Sequence, residues 1–153
     1  MNTLQSRHLF TLSIDLHPTI ELGDSPVGGR RIFPVSGGRF EGERIDGEVL
    51  PVAGSDYLLV RSDGSRQQDV RLLLRASNGD VIIMTYRGVR RASAEFDARL
   101  AAGENVPSSD YYLRTAPFFE TASREHDWLN GVVSIGMGAL RPGGVVYELF
   151  EIL

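Results

Sequence analysis

Residues 111–140 read YYLRTAPFFETASREHDWLNGVVSIGMGAL, and this stretch decides the fold. Residues 111–115 form a strand-like run; the rings and carboxylate of Phe118, Phe119 and Glu120 follow, then a Trp128-Leu129-Asn130 corner. A second, glycine-bearing strand is expected over 130–140. A strand, a ring-and-carboxylate segment, a corner and a returning strand predict an antiparallel barrel that closes around something.

The chain on either side repeats the pattern. Residues 9–16 alternate at period two, with Phe10, Leu12, Ile14 and Leu16 on one side, as a half-buried strand requires. A loop is expected over 18–29, then short strands at 31–35, 38–45 and 48–52, the first two joined through Ser36-Gly37. Strand-length runs at 55–61, 69–76 and 81–88 are separated by Asp63-Gly64 and Asn78-Gly79, and Asn-Gly between alternating hydrophobics is a strong hairpin signal. Residues 93–102 break the alternation. Ser93 can cap a helix, Phe96 and Leu100 lie four apart on one face, and Gly103 can end it. After a polar loop at 104–110 the strands resume, ending with 145–152 after Pro142-Gly143-Gly144. Eight to ten short strands in one domain face an edge problem that only closure removes, so the expected fold is all-β, a closed antiparallel barrel with one short helix. An eight-stranded barrel has an interior that side chains fill or that holds one small ligand.

Composition narrows the function. At 153 residues the chain fits one domain over 1–153, and 42% hydrophobic with 24% charged content is ordinary for a globular protein. The formal charge is -4, and basic residues adjoin only at Arg30-Arg31 and Arg90-Arg91, so no nucleic-acid partner is expected. The absence of cysteine excludes disulfides, thiolate catalysis and sulfur-ligated metals. No apolar run approaches about 18 residues, so no membrane span is expected. Residues 1–7 lack a secretory pattern, which makes a cytoplasmic location the expectation.

The ordered pieces Gly37-Gly38 with Gly42 and Gly47, Gly54-Ser55-Asp56-Tyr57, Asp69-Val70-Arg71, Asn78-Gly79-Asp80, Gly88, Tyr112-Leu113-Arg114-Thr115, Phe119-Glu120-Thr121 and Trp128-Leu129-Asn130 carry a resemblance. Together they resemble the DUF3237 (UPF0311) family, from about Phe10 to Ile152. The resemblance implies a calycin-like, lipocalin-like β-barrel and transfers no activity. Two positions depart from the family pattern: Tyr57 stands where Trp is common, and His126 where Tyr is common. If those rings line the cavity, ligand preference differs here.

Several residues are candidates for chemistry. Asp69 and Arg71 share one strand face with Leu73 and Arg75, opposite Val70, Leu72 and Leu74. Pointing inward, Arg71 offers a forked donor to a carbonyl or carboxylate, with Asp69 or Asp56 holding it. Pointing outward, they form a solvated charge ladder or a structural ion pair. Asp56 begins an apolar run, so it is either an acid/base group in a poorly hydrated cavity or a turn residue bonding to nearby backbone. Tyr112 and Arg114 alternate onto one face and could receive an oxyanion, where preorganised donors are worth about 3–4 kcal/mol each, or could simply pack. Tyr57, Tyr86, Phe118 and Trp128 with Glu120 supply either a ligand wall or a filled core.

His126-Asp127 are chain neighbours that point apart on an extended chain, and no Gly-x-Ser-x-Gly accompanies them. His8, His17 and His126 are too scattered for a metal motif, and Gly136-Met137-Gly138 precedes more strand and no helix, which excludes a dinucleotide fingerprint. No metal or cofactor is expected. These readings converge on a small-molecule barrel for an apolar or aromatic carbonyl or acid metabolite, catalysing a cofactor-free isomerisation, cyclisation or lyase step. The rivals are a non-catalytic carrier or sensor of the lipocalin kind, and a structural subunit of a homo-oligomer.

Overall fold

A computed structural model describes residues 2–153. Ten strands form one antiparallel sheet that closes on itself: β1 (Ser6–Leu16), β2 (Ile20–Ser25), β3 (Gly28–Glu41), β4 (Asp46–Val49), β5 (Ser55–Val60), β6 (Arg66–Ala76), β7 (Val81–Arg91), β8 (Tyr112–Thr121), β9 (Ser134–Arg141) and β10 (Gly144–Ile152). Neighbours run β1-β10-β9-β8-β7-β6, and β6 pairs with both β4 and β5, which pair with β3. Pairing of β1 with β3 shuts the ring. β4 and β5 occupy successive lengths of one position between β3 and β6, so the molecule is a closed eight-stranded barrel with two extra strands.

The expected architecture is present, and its details differ where backbone pairing outweighs side-chain pattern. The residues read as two strands around Ser36-Gly37 form the single strand β3. Gly37 and Gly38 take φ of +143° and +141° inside it, and the register against β1 shifts there, as at a β-bulge. β2 lies in the stretch read as a loop. Its side chains are almost all exposed, so no alternation marked it, and it is held by pairing with β3 alone. β8 runs through Pro117, which is tolerated because the β8–β9 ladder extends only over Arg114↔Met137 and Thr115↔Gly136. The strand expected from 130 begins at Ser134, since Asp127–Gly131 form a 3-10 turn that buries Leu129.

The helix α1 (Ala94–Ala101) forms as its signals demand: Ser93 Oγ accepts from the Phe96 amide at 3.1 Å, and Phe96 packs on Tyr111 with ring centroids 4.8 Å apart. The core fills the barrel unevenly. Phe10, Phe40, Leu74, Ile82, Phe119 and Leu129 pack the end beneath the Asp127–Gly131 turn. The other end, beside α1 and the β9–β10 turn, remains open.

Candidate functional site

Register carries Asp56 into that open end. Phe33, Asp56, Val70 and Tyr86 lie directly opposite one another across β3, β5, β6 and β7, and cross-strand partners share a face. Val70 and Tyr86 are buried, so the row points inward. The cavity it borders holds about 570 Å³ and is walled chiefly by apolar side chains, among them Ile14, Val35, Leu72, Leu113 and Val145. A chamber of this size suits a small organic molecule.

Glycines let side chains pack close against the inner wall. Gly88 and Gly138 sit on the inner face, where a Cβ on Gly88 would lie 2.6 Å from the Thr115 methyl and one on Gly138 would lie 2.7 Å from the Tyr147 ring. The Tyr147 ring takes the place of a side chain at 138. It meets Tyr86 edge-on, with centroids 5.5 Å apart and planes at 67°.

The electrostatics of the chamber follow from the burial of its polar groups. Burial pushes the Asp56 carboxyl up to about 7 against the lowering effect of the Asp69 amide, which donates to Asp56 Oδ1 at 3.1 Å; the Asp69 charge adds to the rise and Arg30 opposes it. Tyr86 is held well above the usual phenol range by burial and then by Tyr147, and burial likewise raises Tyr147, so both hydroxyls stay protonated. Gln68 Oε1 and Thr115 Oγ1 are buried with no hydrogen-bond partner among the described residues. A largely apolar chamber thus presents one carboxyl poised near neutrality, two phenols and an unpartnered amide oxygen, with Arg90 and Arg141 also on its lining.

The structure divides the sequence-predicted residues. Asp56 and Tyr86 face the cavity. Arg71 does not meet them: on β6 the inward positions are Gln68, Val70, Leu72 and Leu74, so Asp69 and Arg71 point out. On β8, Leu113, Thr115, Pro117 and Phe119 are inward, which sends Tyr112, Arg114, Phe118 and Glu120 to the exterior. The expected convergence of Arg71, Tyr112 and Arg114 with Asp56 is corrected by this parity. Tyr112 is instead flanked by Arg91 and Arg114, whose guanidinium carbons lie 4.4 and 5.0 Å from its ring centroid. Tyr57 is 52% exposed on the outer surface, so the family departure there does not line the chamber. Trp128 lies at the closed end under Arg44, 3.9 Å from its centroid, and buried His126 lies at that end too.

Sequence reasoning passed over Gln68, Arg90 and Tyr147. Each interrupts an apolar alternation: Gln68 precedes Val70 and Leu72, Arg90 follows Met84, Tyr86 and Gly88, and Tyr147 sits between Val145 and Leu149. A lone polar residue in the register of a buried row is the signal that would have found them.

The fold and chamber define a closed antiparallel β-barrel with an interior cavity reached from one end. A family model described as a protein of unknown function (DUF3237) matches residues 4–152, and the chain belongs to that family. A UPF0311 protein from Rhodopseudomonas palustris is 30% identical over 151 residues, covering 99% of this chain and 98% of its own length. The crystal structure of a conserved protein of unknown function from R. palustris superposes with a TM-score of 0.95 at 29% identity, covering 100% of both chains. A β-barrel-like protein from Acinetobacter baumannii AYE superposes at 0.86 with 35% identity, over 100% of this chain and 98% of that one. An enzyme from Penicillium herquei shares the fold at 20% identity, with a TM-score of 0.74 over 100% of this chain and 97% of that one.

Proposed function

We propose that this barrel binds an apolar or aromatic small molecule bearing a carbonyl or acid group, and that Asp56 is its acid/base residue. One observation carries the reading: a chamber of about 570 Å³ with chiefly apolar walls gathers Asp56, Tyr86 and Tyr147 on its lining. As a neutral acid Asp56 donates a hydrogen bond to the ligand carbonyl, and the protonated phenols offer further donors where negative charge develops. As a carboxylate it removes a proton beside that carbonyl and returns it at another carbon, an isomerisation that balances with no cofactor. A carboxyl titrating near 7 spends time in both forms at neutral pH, which suits this exchange.

The test is a ligand screen on the whole chain, beginning with mass spectrometry of what co-purifies. Binding of a carbonyl ligand weakens as pH rises through about 7, and Asp56→Asn, whose amide donates at every pH, removes that dependence. Arg71→Ala, on the outer face, leaves affinity unchanged. Parent affinity that does not change with pH, or a pH dependence that survives Asp56→Asn, would overturn the assignment of Asp56. Tight binding with no product on prolonged incubation would reduce the activity to that of a carrier.

A further inference from the structure

Arg90 on β7 lines the cavity, and Arg66 on β6 stands directly opposite it in the ladder. Like charges facing each other across a ladder repel, and these two guanidiniums are largely withdrawn from water, with side chains 13% and 12% exposed. One carboxylate serves both: Asp97 of α1 accepts from Arg90 Nη1 at 2.8 Å and lies 3.6 Å from Arg66 Nη2. Arg66 Nε is buried with no hydrogen-bond partner among the described residues. Arg31, close enough to act on Arg66, pairs with Glu21 at 3.3 Å and so adds no carboxylate to the group. Burial, opposed by Asp97 and assisted by Arg90 and Arg31, holds the Arg66 guanidinium below its usual range. Two guanidiniums against one carboxylate leave a single positive charge in excess where Arg90 borders the chamber.

We infer that Arg90 and Arg66 form an anion subsite at the mouth, taking the single negatively charged head of a small molecule whose apolar body fills the chamber. This rests on the cavity reading above and narrows its ligand class from carbonyl or acid compounds in general to monoanions. A lone excess charge matches one negative charge, and forked guanidinium donors match the paired oxygens of a carboxylate or sulfonate.

Two fluorescent probes with the same rings test this: 1-anilinonaphthalene-8-sulfonate, and N-phenyl-1-naphthylamine, which lacks the sulfonate. The sulfonate is expected to bind about tenfold more tightly. Arg90→Met erases that preference while the neutral probe keeps its affinity. Asp97→Asn, which leaves both guanidiniums uncompensated, tightens the sulfonate by roughly threefold or more with the neutral probe unmoved, a response a merely structural ion pair does not give. Cooperative thermal melts establish that each variant is folded. Equal affinity for the two probes, or a sulfonate preference that survives Arg90→Met or falls in Asp97→Asn, overturns the subsite while neutral-probe binding still upholds the cavity. Failure of both probes to bind the parent chain overturns the two readings together.

Discussion

The Asp56 carboxyl faces apolar walls with one backbone amide as its hydrogen-bond donor, so folding raises its affinity for a proton. The linkage has a definite sign. Between the ordinary aspartate value of 3.8 and about 7 the native state holds a proton that the unfolded chain releases, so the Asp56 contribution to stability falls across that window and levels above it. Asp56→Asn removes the titration. Its stability relative to the parent is therefore expected to rise steadily from about pH 4 to about pH 7 in denaturant melts. A difference that stays flat with pH would mean the carboxyl is solvated like a surface group. Residue-level reading of the sequence reached Asp56 because an acid leading an apolar run is conspicuous. It could not separate Asp56 from Asp69, Arg71, Tyr112 or Arg114, because alternation says which side chains share a face without saying which face is inside.

Among the elements, β9 has the least conspicuous role and a large effect on the site. Its inward positions include Gly136 and Gly138, and the space they leave is what Tyr147 of β10 and Leu113 of β8 occupy. A methyl group at 138 must displace the Tyr147 ring, 2.7 Å away, and the Leu113 side chain. Gly138→Ala is expected to destabilise by about 1–3 kcal/mol as an overpacked core does, and to lower the affinity of any chamber ligand. Urea melts and probe titration measure the two effects, and a neutral outcome in both would show that the wall yields. Gly136 and Gly138 helped mark a strand in the sequence, but the purpose of Gly138 depends on a ring nine residues further on. Similarly, α1 was legible from Ser93, Phe96, Leu100 and Gly103, whereas its role in bringing Asp97 to Arg90 required the mouth to be in place.

At the scale of the molecule, closure rests on β1, which pairs with β10 on one side and β3 on the other. Phe10 of that strand is fully buried against Phe40 and Phe119, with centroids 5.1 and 5.8 Å away, so it joins three separate strands in the packed end of the barrel. Phe10→Ala should cost about 3–5 kcal/mol, in the range of large-to-small core changes. Equilibrium unfolding measures it; a loss below about 1 kcal/mol would place the closure energy elsewhere. This division of labour, one end packed and one end hollow, lets the fold retain a cavity without forfeiting a core.

Local pattern was enough to establish an all-β chain, most of its strands, its helix and the closed barrel, because period-two alternation and turn chemistry act over a few neighbouring residues. The inside and outside of each strand, the bulge within β3, the existence of β2 and the meeting of Asp56 with Tyr86, Tyr147 and Arg90 were decided only by tertiary structure. These depend on register between strands distant in sequence, and a shift of one residue exchanges the two faces of a strand.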